Sequence, residues 1–254
     1  MSSETAIAQV ANYIRESRAT VAFTGAGIST PSGIPDFRSP TSGLWEKVNP
    51  MAVASLFGFR QNPRAFYDWV YPLAQKTLAA QPNAAHIALA HLETVAHLIA
   101  IITQNIDMLH QRAGSSQVYE LHGQFREATC THCFTPYPGL PLLEQFLTDR
   151  KVPHCPRCGG VIKPNVILFG EQLPLQVLRA AQDVARRADL MLIVGSSLEV
   201  APASDIPIIA TRSGAKLVII NLEPTDFDQG ADVVIHEDAA IVLPEIMRYL
   251  ESTP

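Results

Sequence analysis

The fold is decided by residues 20–27, which read TVAFTGAG. This segment is a short apolar run that ends in a glycine turn, and residues 4–17 before it carry apolar side chains at helical spacing. The order helix, buried strand, glycine turn is typical of a parallel sheet that is covered by helices on both faces. The segment therefore predicts an α/β fold with a doubly wound parallel sheet.

The same alternation recurs along the chain. We expect further strands at 98–103, 118–121, 166–169, 190–194, 217–220 and 233–235. We expect helices over about 84–97, 106–112, 175–187 and 239–250. Two stretches interrupt this pattern. Residues 31–83 are rich in Pro, Gly and aromatic side chains, which favours irregular loops and short helices, and residues 124–164 carry all the cysteines.

The overall composition excludes several classes of protein. In 254 residues, 47% are hydrophobic and 17% are charged, a balance typical of a compact fold. The net charge of -5 argues against a protein built mainly to hold nucleic acid, because phosphate binding needs a surplus of Lys and Arg. No apolar run reaches the roughly 18 residues of a membrane span, and residues 1–10 do not resemble a signal peptide. We therefore expect a cytoplasmic protein.

The cysteines form two pairs, Cys130-x-x-Cys133 and Cys155-x-x-Cys158, on either side of residues 134–154. This spacing is close to that of a zinc ribbon, in which four thiolates close a tetrahedral structural site. A redox CxxC pair and unpaired core thiols are the alternatives. Two histidines adjoin the pairs, His132 and His154, and we expect them to be exposed neighbours because four thiolates already fill the coordination shell.

The glycine turn, residues 23–29 (FTGAGIS), resembles the start of a dinucleotide site, where glycines let the backbone approach a pyrophosphate. The match is incomplete, because no third glycine falls at the expected offset and Pro31, Gly33 and Pro35 interrupt the following helix. A tight strand-to-loop turn is the alternative. Residues 33–38 (GIPDFR) then place an acid, an aromatic ring and a cation in a stiff loop that could close over a cofactor.

Polar side chains follow two of the expected strands, at residues 103–107 (TQNID) and 121–123 (LHG). Polar groups at the carboxyl ends of parallel strands point into the ligand crevice of a doubly wound sheet, so we expect Gln104, Asn105, Asp107 and His122 to converge there. The other histidines that we considered, His86, His91, His97 and His236, are interpreted as ordinary surface or core residues.

Seven motifs together resemble, in order, those of the sirtuin family of NAD-dependent protein deacylases. They are GAGIS at 25–29, GIPDFR at 33–38, TQNID at 103–107, LHG at 121–123, the two CxxC pairs, KPNVILFGE at 163–171 and GSS at 195–197. The resemblance implies a reaction that consumes NAD, removes acetyl or other neutral acyl groups from protein lysines, and yields nicotinamide, O-acyl-ADP-ribose and free lysine. It also implies one structural zinc per chain.

The resemblance implies catalytic roles for two residues: His122 as general base, and Asn105 as the holder of a water near the ribose. It places Phe37 beside the reacting carbon, and Ile106 with Asp107 at the carboxamide. The residues that it implies for NAD binding are Gly25, Ala26, Gly27, Thr30, Asp36, Phe37, Arg38, Gln104, Asn105, Ile106, Asp107, His122, Gly195, Ser196, Ser197, Asn221, Leu222, Glu223 and Ala239.

The resemblance further implies that acetyl-lysine proteins bind as an added strand, along 169–171 and along 198–200. The chain departs from the common family pattern at Glu199 and Ala201, where valine and tyrosine are usual, and Glu199 would favour a basic residue beside the target lysine. Residues 67–70 (YDWV) lack the Tyr-x-x-Arg pair of relatives that remove succinyl or malonyl groups. Acetyl or longer neutral acyl groups are therefore expected over succinyl.

We expect residues 1–30, 84–123 and 165–254 to form a Rossmann-like NAD-binding domain. Residues 31–83 would supply a cofactor loop and the helical part of a small domain, and 124–164 the zinc module. Three other functions were weighed. A dehydrogenase would need a regular glycine fingerprint, a zinc-ribbon module for nucleic acid would need a more basic segment, and a mono-ADP-ribosyl transferase would share the first chemical step.

Overall fold

The computed structural model describes residues 3–36 and 48–252. Two residues expected in the cofactor loop, Phe37 and Arg38, lie outside these ranges. The chain divides into two compact units. The first unit consists of Met1–Gly33, Gln81–Leu121 and Leu175–Pro254, and the second of Ile34–Ala80 and His122–Pro174.

The strands of the described residues are β1 (Thr20–Thr24), β2 (Leu98–Thr103), β3 (Val118–Glu120), β4 (Gly123–Cys130), β5 (Pro136–Pro138), β6 (Ile162–Val166), β7 (Leu190–Val194), β8 (Lys216–Ile220) and β9 (Val233–Ile235). The α-helices are α1 (Ser3–Glu16), α2 (Pro50–Val53), α3 (Leu56–Gln61), α4 (Pro63–Ala79), α5 (Ala84–Val95), α6 (Leu109–Ala113), α7 (Gly139–Asp149), α8 (Leu175–Arg187), α9 (Asp205–Arg212) and α10 (Ala239–Ser252). Within 3–36 and 48–252, 3₁₀-helices span Ala26–Ser32 and Asp228–Gly230. None of the described helices combines the length and the apolarity that crossing a membrane requires.

The described part of the first unit contains a six-stranded sheet in the order β3-β2-β1-β7-β8-β9. All its strand pairs are parallel, which confirms the doubly wound α/β fold. The chain runs outward from β1 to β3 on one side, and then returns to β7 on the other side of β1. The strand order therefore reverses between β1 and β7, and ligands bind at such switch points in open α/β sheets.

The core of the first unit joins this sheet to α1, α5 and α10. Apolar side chains at helical spacing, such as Ile7, Val10 and Ile14 of α1, are buried against it. Strands β1 and β7 are buried along their whole length, which explains their nearly continuous apolar sequence. Each fully buried Val, Leu or Ile contributes roughly 1.5–3 kcal/mol.

The second unit contains an antiparallel sheet in the order β5-β4-β6. The strand expected at 166–169 as part of the parallel alternation was wrong: the chain forms β6 instead, and β6 pairs antiparallel with β4. Strand β4 was not predicted, because buried positions are interrupted by half-buried ones and the sequence has no continuous apolar run. Helix α9 was also missed, since its 8 residues include Pro207 and carry a short pattern.

The expectation of loops and short helices over 31–83 was wrong for α4, which has 17 residues. The Asn62 side chain caps this helix by accepting from the Ala65 N–H at 3.2 Å, and Pro63 occupies its first turn. Phe66 and Tyr67 of α4 pack edge-to-face, with ring centroids 5.4 Å apart. Tyr67 also meets Phe146 of α7 at 4.9 Å, so aromatic packing holds the two helices together.

Candidate nucleotide site and metal centre

The ends of β1 and β7 approach each other closely at the switch point. The Gly25 N–H donates to the Val194 carbonyl at 3.1 Å, and the Gly27 N–H donates to the Gly195 carbonyl at 2.8 Å. A Cβ on Gly195 would lie 2.2 Å from the Ile28 nitrogen, and one on Gly27 would lie 2.9 Å from the Gly195 Cα. These positions require glycine, because any side chain would force the two backbones apart.

The glycine turn leads into the 3₁₀-helix Ala26–Ser32 instead of the long helix of the usual dinucleotide fingerprint. Pro31 lies inside this short helix, and Gly33 ends it with φ 86°, a left-handed conformation that favours glycine. The Thr30 hydroxyl donates to the Gly27 carbonyl at 3.0 Å. The helix that follows the glycine turn thus ends after 7 residues.

A buried polar network connects this turn to the end of β2. The Ser29 hydroxyl donates to Asp107 Oδ2 at 2.6 Å, and the Leu109 N–H donates to Asp107 Oδ1 at 2.9 Å. The Asn105 amide donates to the Gly25 carbonyl at 3.0 Å and to Ser29 Oγ at 3.2 Å. Burial raises the pKa of Asp107, and the hydrogen bond from Ser29 opposes that rise. The network therefore brings the predicted Asn105 and Asp107 together beside the glycine turn.

Ser29 was not among the residues predicted to bind NAD, although it lies within the quoted motif 25–29. The position of Ser29 in the sequence could have identified it, because a hydroxyl one turn after the glycines faces the residues that follow the neighbouring strand β2. His110 was missed as well. Its Nε2 lies 2.9 Å from the Thr24 hydroxyl, and Thr24 in turn donates to Thr103 at 2.8 Å.

His86 and His110 lie side by side in the first unit, with ring centroids 4.9 Å apart. Burial lowers the pKa of His86 to about 4. Burial, together with the neighbouring His86, lowers the pKa of His110 well below its usual value. Both rings are therefore neutral near pH 7. His86 also accepts from the Asn83 N–H through Nδ1 at 3.4 Å at the start of α5, in keeping with a core histidine.

A hydrogen bond also joins the segments that follow β2 and β7. The Gln104 amide donates to the Ser196 hydroxyl at 2.8 Å, and the Leu198 N–H donates to the same oxygen at 3.3 Å. Ser196 is buried, whereas Ser197 beside it is exposed. Two predicted NAD-binding residues from distant parts of the sequence are thus in direct contact.

The remaining predicted residues among those described lie after β8, at the start of α10, after β2 and in the second unit. Asn221 follows β8, and its amide donates to the Glu223 carbonyl at 2.7 Å. Leu222 between them is exposed, and Ala239 is buried at the start of α10. Ile106 is half-buried after β2. Asp36 belongs to the second unit and is half-buried.

His122 belongs to the second unit, directly before β4. Its carbonyl accepts from the Ile167 N–H at 2.8 Å, and its side chain is half-buried. Gly123 beside it has φ 76°, and a Cβ there would lie 1.9 Å from the Asn165 carbonyl oxygen. The backbone at His122 is therefore packed tightly against the segment that follows β6.

The four cysteines converge in the second unit as their spacing predicted. Their sulfur atoms all lie within 4.8 Å of one another. Cys130 and Cys158 are 3.5 Å apart, and Cys133 and Cys155 are 3.6 Å apart, measured between Sγ atoms. Four ligands at the usual Zn–S distance stand about 3.8 Å apart at the corners of a tetrahedron. The donor set and its spacing therefore fit a closed, structural Zn²⁺ site.

Backbone and side-chain groups surround the thiolates. A Cβ on Gly160 would lie 2.9 Å from Cys130 Sγ, so this position leaves room only for glycine beside the metal ligands. The Tyr137 hydroxyl lies 2.9 Å from Cys155 Sγ, and the Thr135 hydroxyl lies 3.2 Å from Cys133 Sγ. When the cysteines hold zinc as thiolates, both hydroxyls donate to sulfur.

We expect Tyr137→Phe to accelerate zinc loss while leaving one zinc per purified chain. The change removes a donor to Cys155, and outer-shell hydrogen bonds are worth roughly 10- to 100-fold in metal affinity. The measurement is the rate of zinc transfer to a chromogenic chelator. Tyr71→Phe, on α4 in the same unit, is the matched control, and equal transfer rates for the two variants would show that the Tyr137 hydroxyl does not stabilise the site.

The fold and the sites define a class of protein that combines a nucleotide-type α/β sheet with a small zinc module. The first feature is the glycine turn at the switch point of the parallel sheet, and the second is the four-cysteine cluster in the antiparallel unit. Residues 25–202 match the Sir2 family. The chain is 45% identical over 240 residues to an NAD-dependent protein deacetylase of Caldivirga maquilingensis, an alignment that spans 94% of this chain and 92% of that relative.

Solved structures agree with this match. A structure solved to explain the mechanism and regulation of Sir2 enzymes superposes with a TM-score of 0.93 at 45% identity, over 98% of this chain and 99% of that one. A Sir2 structure with a deacetylated p53 peptide and 3'-O-acetyl-ADP-ribose superposes with a TM-score of 0.89 at 42% identity, over 94% and 96%. The chain belongs to the Sir2, or sirtuin, family, as its motifs predicted.

Proposed function

We propose that the chain is an NAD-dependent protein deacetylase that transfers the acetyl group of a modified lysine to ADP-ribose. The observation that carries this proposal is the Sir2 match over residues 25–202, with nearly full-length similarity to an NAD-dependent protein deacetylase. The related structure with a deacetylated peptide and 3'-O-acetyl-ADP-ribose holds products that the proposed reaction would form.

The first unit fits a dinucleotide. Gly25, Gly27 and Gly195 let the ends of β1 and β7 approach each other closely at the switch point, where ligands bind in open α/β sheets. Gln104 and Ser196 present an amide and a hydroxyl that can exchange their mutual hydrogen bond for bonds to ribose or phosphate oxygens. We assign NAD binding to these residues and to the other positions named above for this unit.

NAD supplies a ribose carbon whose bond to nicotinamide is easily broken. In the proposed reaction the acyl oxygen of the modified lysine bonds to that carbon and nicotinamide leaves. His122 takes a proton from a ribose hydroxyl, whose oxygen then attacks the acyl carbon, and water completes the release of free lysine. Asn105, which is fixed by Gly25 and Ser29, would hold a water beside the ribose.

The carboxamide end of NAD is assigned to Ile106 and Asp107. The Asp107 carboxylate receives the Ser29 hydroxyl and the Leu109 N–H, which fixes its orientation. A carboxylate in this setting can accept from the carboxamide nitrogen, and burial strengthens such a bond. Phe37 and Arg38 keep the roles predicted for the cofactor loop as part of the proposal.

The acyl-peptide is proposed to add a strand along Phe169-Gly170-Glu171 and along residues 198–200. Phe169 is 38% exposed, and Gly170 has open space where a Cβ would stand. Recognition of this kind reads mainly the peptide backbone, so broad sequence tolerance is expected.

The test of the proposal is incubation of the chain with NAD and an acetyl-lysine peptide, followed by mass spectrometry. We expect the peptide to lose its acetyl group only when NAD is present, with nicotinamide appearing in equal amount. Formation of NADH would indicate a dehydrogenase instead. Transfer of ADP-ribose from NAD to protein would indicate a mono-ADP-ribosyl transferase.

We expect acetyl-lysine and butyryl-lysine peptides to be processed at least about 100-fold better than a succinyl-lysine peptide, compared by kcat/KM. Tyr67 is buried, with its hydroxyl donating to the Ile162 carbonyl at 2.7 Å, and Val70 on the same helix is buried and apolar. A distal carboxylate would lack the Tyr-x-x-Arg partner, and an unpaired buried ion costs several kcal/mol.

The butyryl group controls for length in this comparison, because it extends as far as a succinyl chain without the charge. Equal rates on succinyl and acetyl peptides would contradict the prediction. A butyryl peptide as poor as the succinyl peptide would show that size, and not charge, limits the substrate.

We also infer a cytoplasmic location. The four thiols are free of disulfides and are arranged as metal ligands, a state that is maintained in reducing compartments.

A further inference from the structure

A buried lysine closes a loop within residues 162–171 of the second unit. The Lys163 side chain is 11% exposed, and its ammonium has three donors. The ammonium donates to the Pro164 carbonyl at 3.2 Å, to the Val166 carbonyl at 2.8 Å and to Glu171 Oε2 at 2.9 Å. The same Glu171 oxygen accepts from the Leu168 N–H at 2.8 Å. The lysine and the glutamate thereby hold the two ends of the loop together.

This loop contains Phe169 and Gly170, along which the acyl-peptide is proposed to bind. We call these two residues the peptide edge. The Phe169 N–H donates to the Ala54 carbonyl at 2.9 Å, and the Phe169 carbonyl accepts from the Leu56 N–H at 2.9 Å. These two bonds fix the backbone of Phe169 against residues 54–56. Gly170 follows with φ 84°, so the chain turns sharply just before Glu171. The position of this edge depends on where Glu171 is held.

The same segment supports the backbone of His122. Val166, whose carbonyl accepts from Lys163, pairs with Gly123 in the antiparallel sheet. The next residue, Ile167, donates its N–H to the His122 carbonyl at 2.8 Å. Lys163 therefore lies in β6 and bonds to its last residue, Val166, directly before the segment that supports His122 and leads to Phe169 and Gly170.

We propose that Lys163 and Glu171 form a positioning pair that sets the peptide edge at Phe169-Gly170 relative to the backbone of His122. This inference rests on the proposed function. Exposed pairs contribute little to structure, whereas removal of one partner of a buried pair leaves an uncompensated charge and forces the loop to rearrange.

The experiment measures binding of an acetyl-lysine peptide and of NAD separately, by calorimetry, for Lys163→Met and for Glu171→Gln. We expect the peptide Kd to rise roughly tenfold or more in each variant, because loss of either partner leaves an uncompensated buried charge and the loop that holds Phe169 and Gly170 must rearrange. The Kd for NAD should stay within about twofold of the wild-type value. The exposed Lys151→Met is the matched control and should change neither constant.

The double variant Lys163→Met with Glu171→Gln separates pairing from packing. It should bind the peptide at least as tightly as Lys163→Met alone, since no charge is then left unpaired. Zinc content and the melting temperature confirm that each variant is folded, and Glu171→Gln, which preserves shape, serves if Lys163→Met does not fold.

Unchanged peptide binding in a folded single variant, or equal weakening of peptide and NAD binding, would overturn the inference. A wild-type chain that binds both ligands but releases no nicotinamide contradicts the proposed function instead, and in that case the two binding constants still decide the role of the pair.

Discussion

His122→Ala is expected to lower the rate of deacetylation by about 100- to 10,000-fold, the usual contribution of a general base. The substitution leaves the acyl-peptide and NAD able to bind, but no group then takes the proton from the ribose hydroxyl. The measurement is the rate at which O-acetyl-ADP-ribose forms under saturating NAD and peptide.

The order of steps sharpens this test. Departure of nicotinamide precedes the proton transfer, so exchange of labelled nicotinamide into NAD should survive in His122→Ala far better than product formation does. Zinc content should remain one per chain, which shows that the second unit is folded. Product formation at the wild-type rate would remove His122 from its assigned role, and equal loss of exchange and product would place His122 in the first step instead.

Cys130→Ser is expected to abolish zinc binding and deacetylation together. Structural zinc contributes roughly 10–16 kcal/mol of binding free energy that is coupled to folding. Cys130 is the last residue of β4, and His122 directly precedes the same strand. Loss of the metal should therefore disorder the antiparallel sheet that positions His122, and the melting temperature of the variant should fall.

The matched controls are His132→Ala and His154→Ala. Both histidines adjoin the cysteine pairs in sequence but are exposed, and the His154 ring bonds to the Val152 carbonyl at 2.7 Å. Each control should keep one zinc and nearly full activity. A Cys130→Ser protein with wild-type zinc content would contradict the four-thiolate site, and a control that loses zinc would show a histidine ligand.

The sequence predicted most reliably those elements whose pattern is local. Buried strands such as β2 and β7 are continuous apolar runs, and their predicted bounds coincide with the observed ones. The convergence of the two cysteine pairs was equally predictable, because the geometry of a metal site imposes a fixed spacing on its ligands. The half-exposed strand β4 and the antiparallel pairing of β6 were not, because sheet partners are chosen by contacts distant in sequence.

The candidate site shows the same division. Gln104, Asn105 and Asp107 were predicted from their place after a strand, and Asn105 and Asp107 indeed meet in one network. Ser29 and His110 were not identified, since their contacts with Asp107 and Thr24 arise only when β1 and β2 pair. The Lys163–Glu171 pair likewise depends on a turn at Gly170 that residue types alone do not specify.

The central claim is that the acetyl group leaves lysine by transfer to ADP-ribose, with NAD consumed. A peptide whose lysine carries an isotopically labelled acetyl group tests this most directly. We predict that the label appears on O-acetyl-ADP-ribose, in equal amount to the nicotinamide released and with no turnover when NAD is omitted. Labelled free acetate formed as the first product, or deacetylation without NAD, would contradict the account.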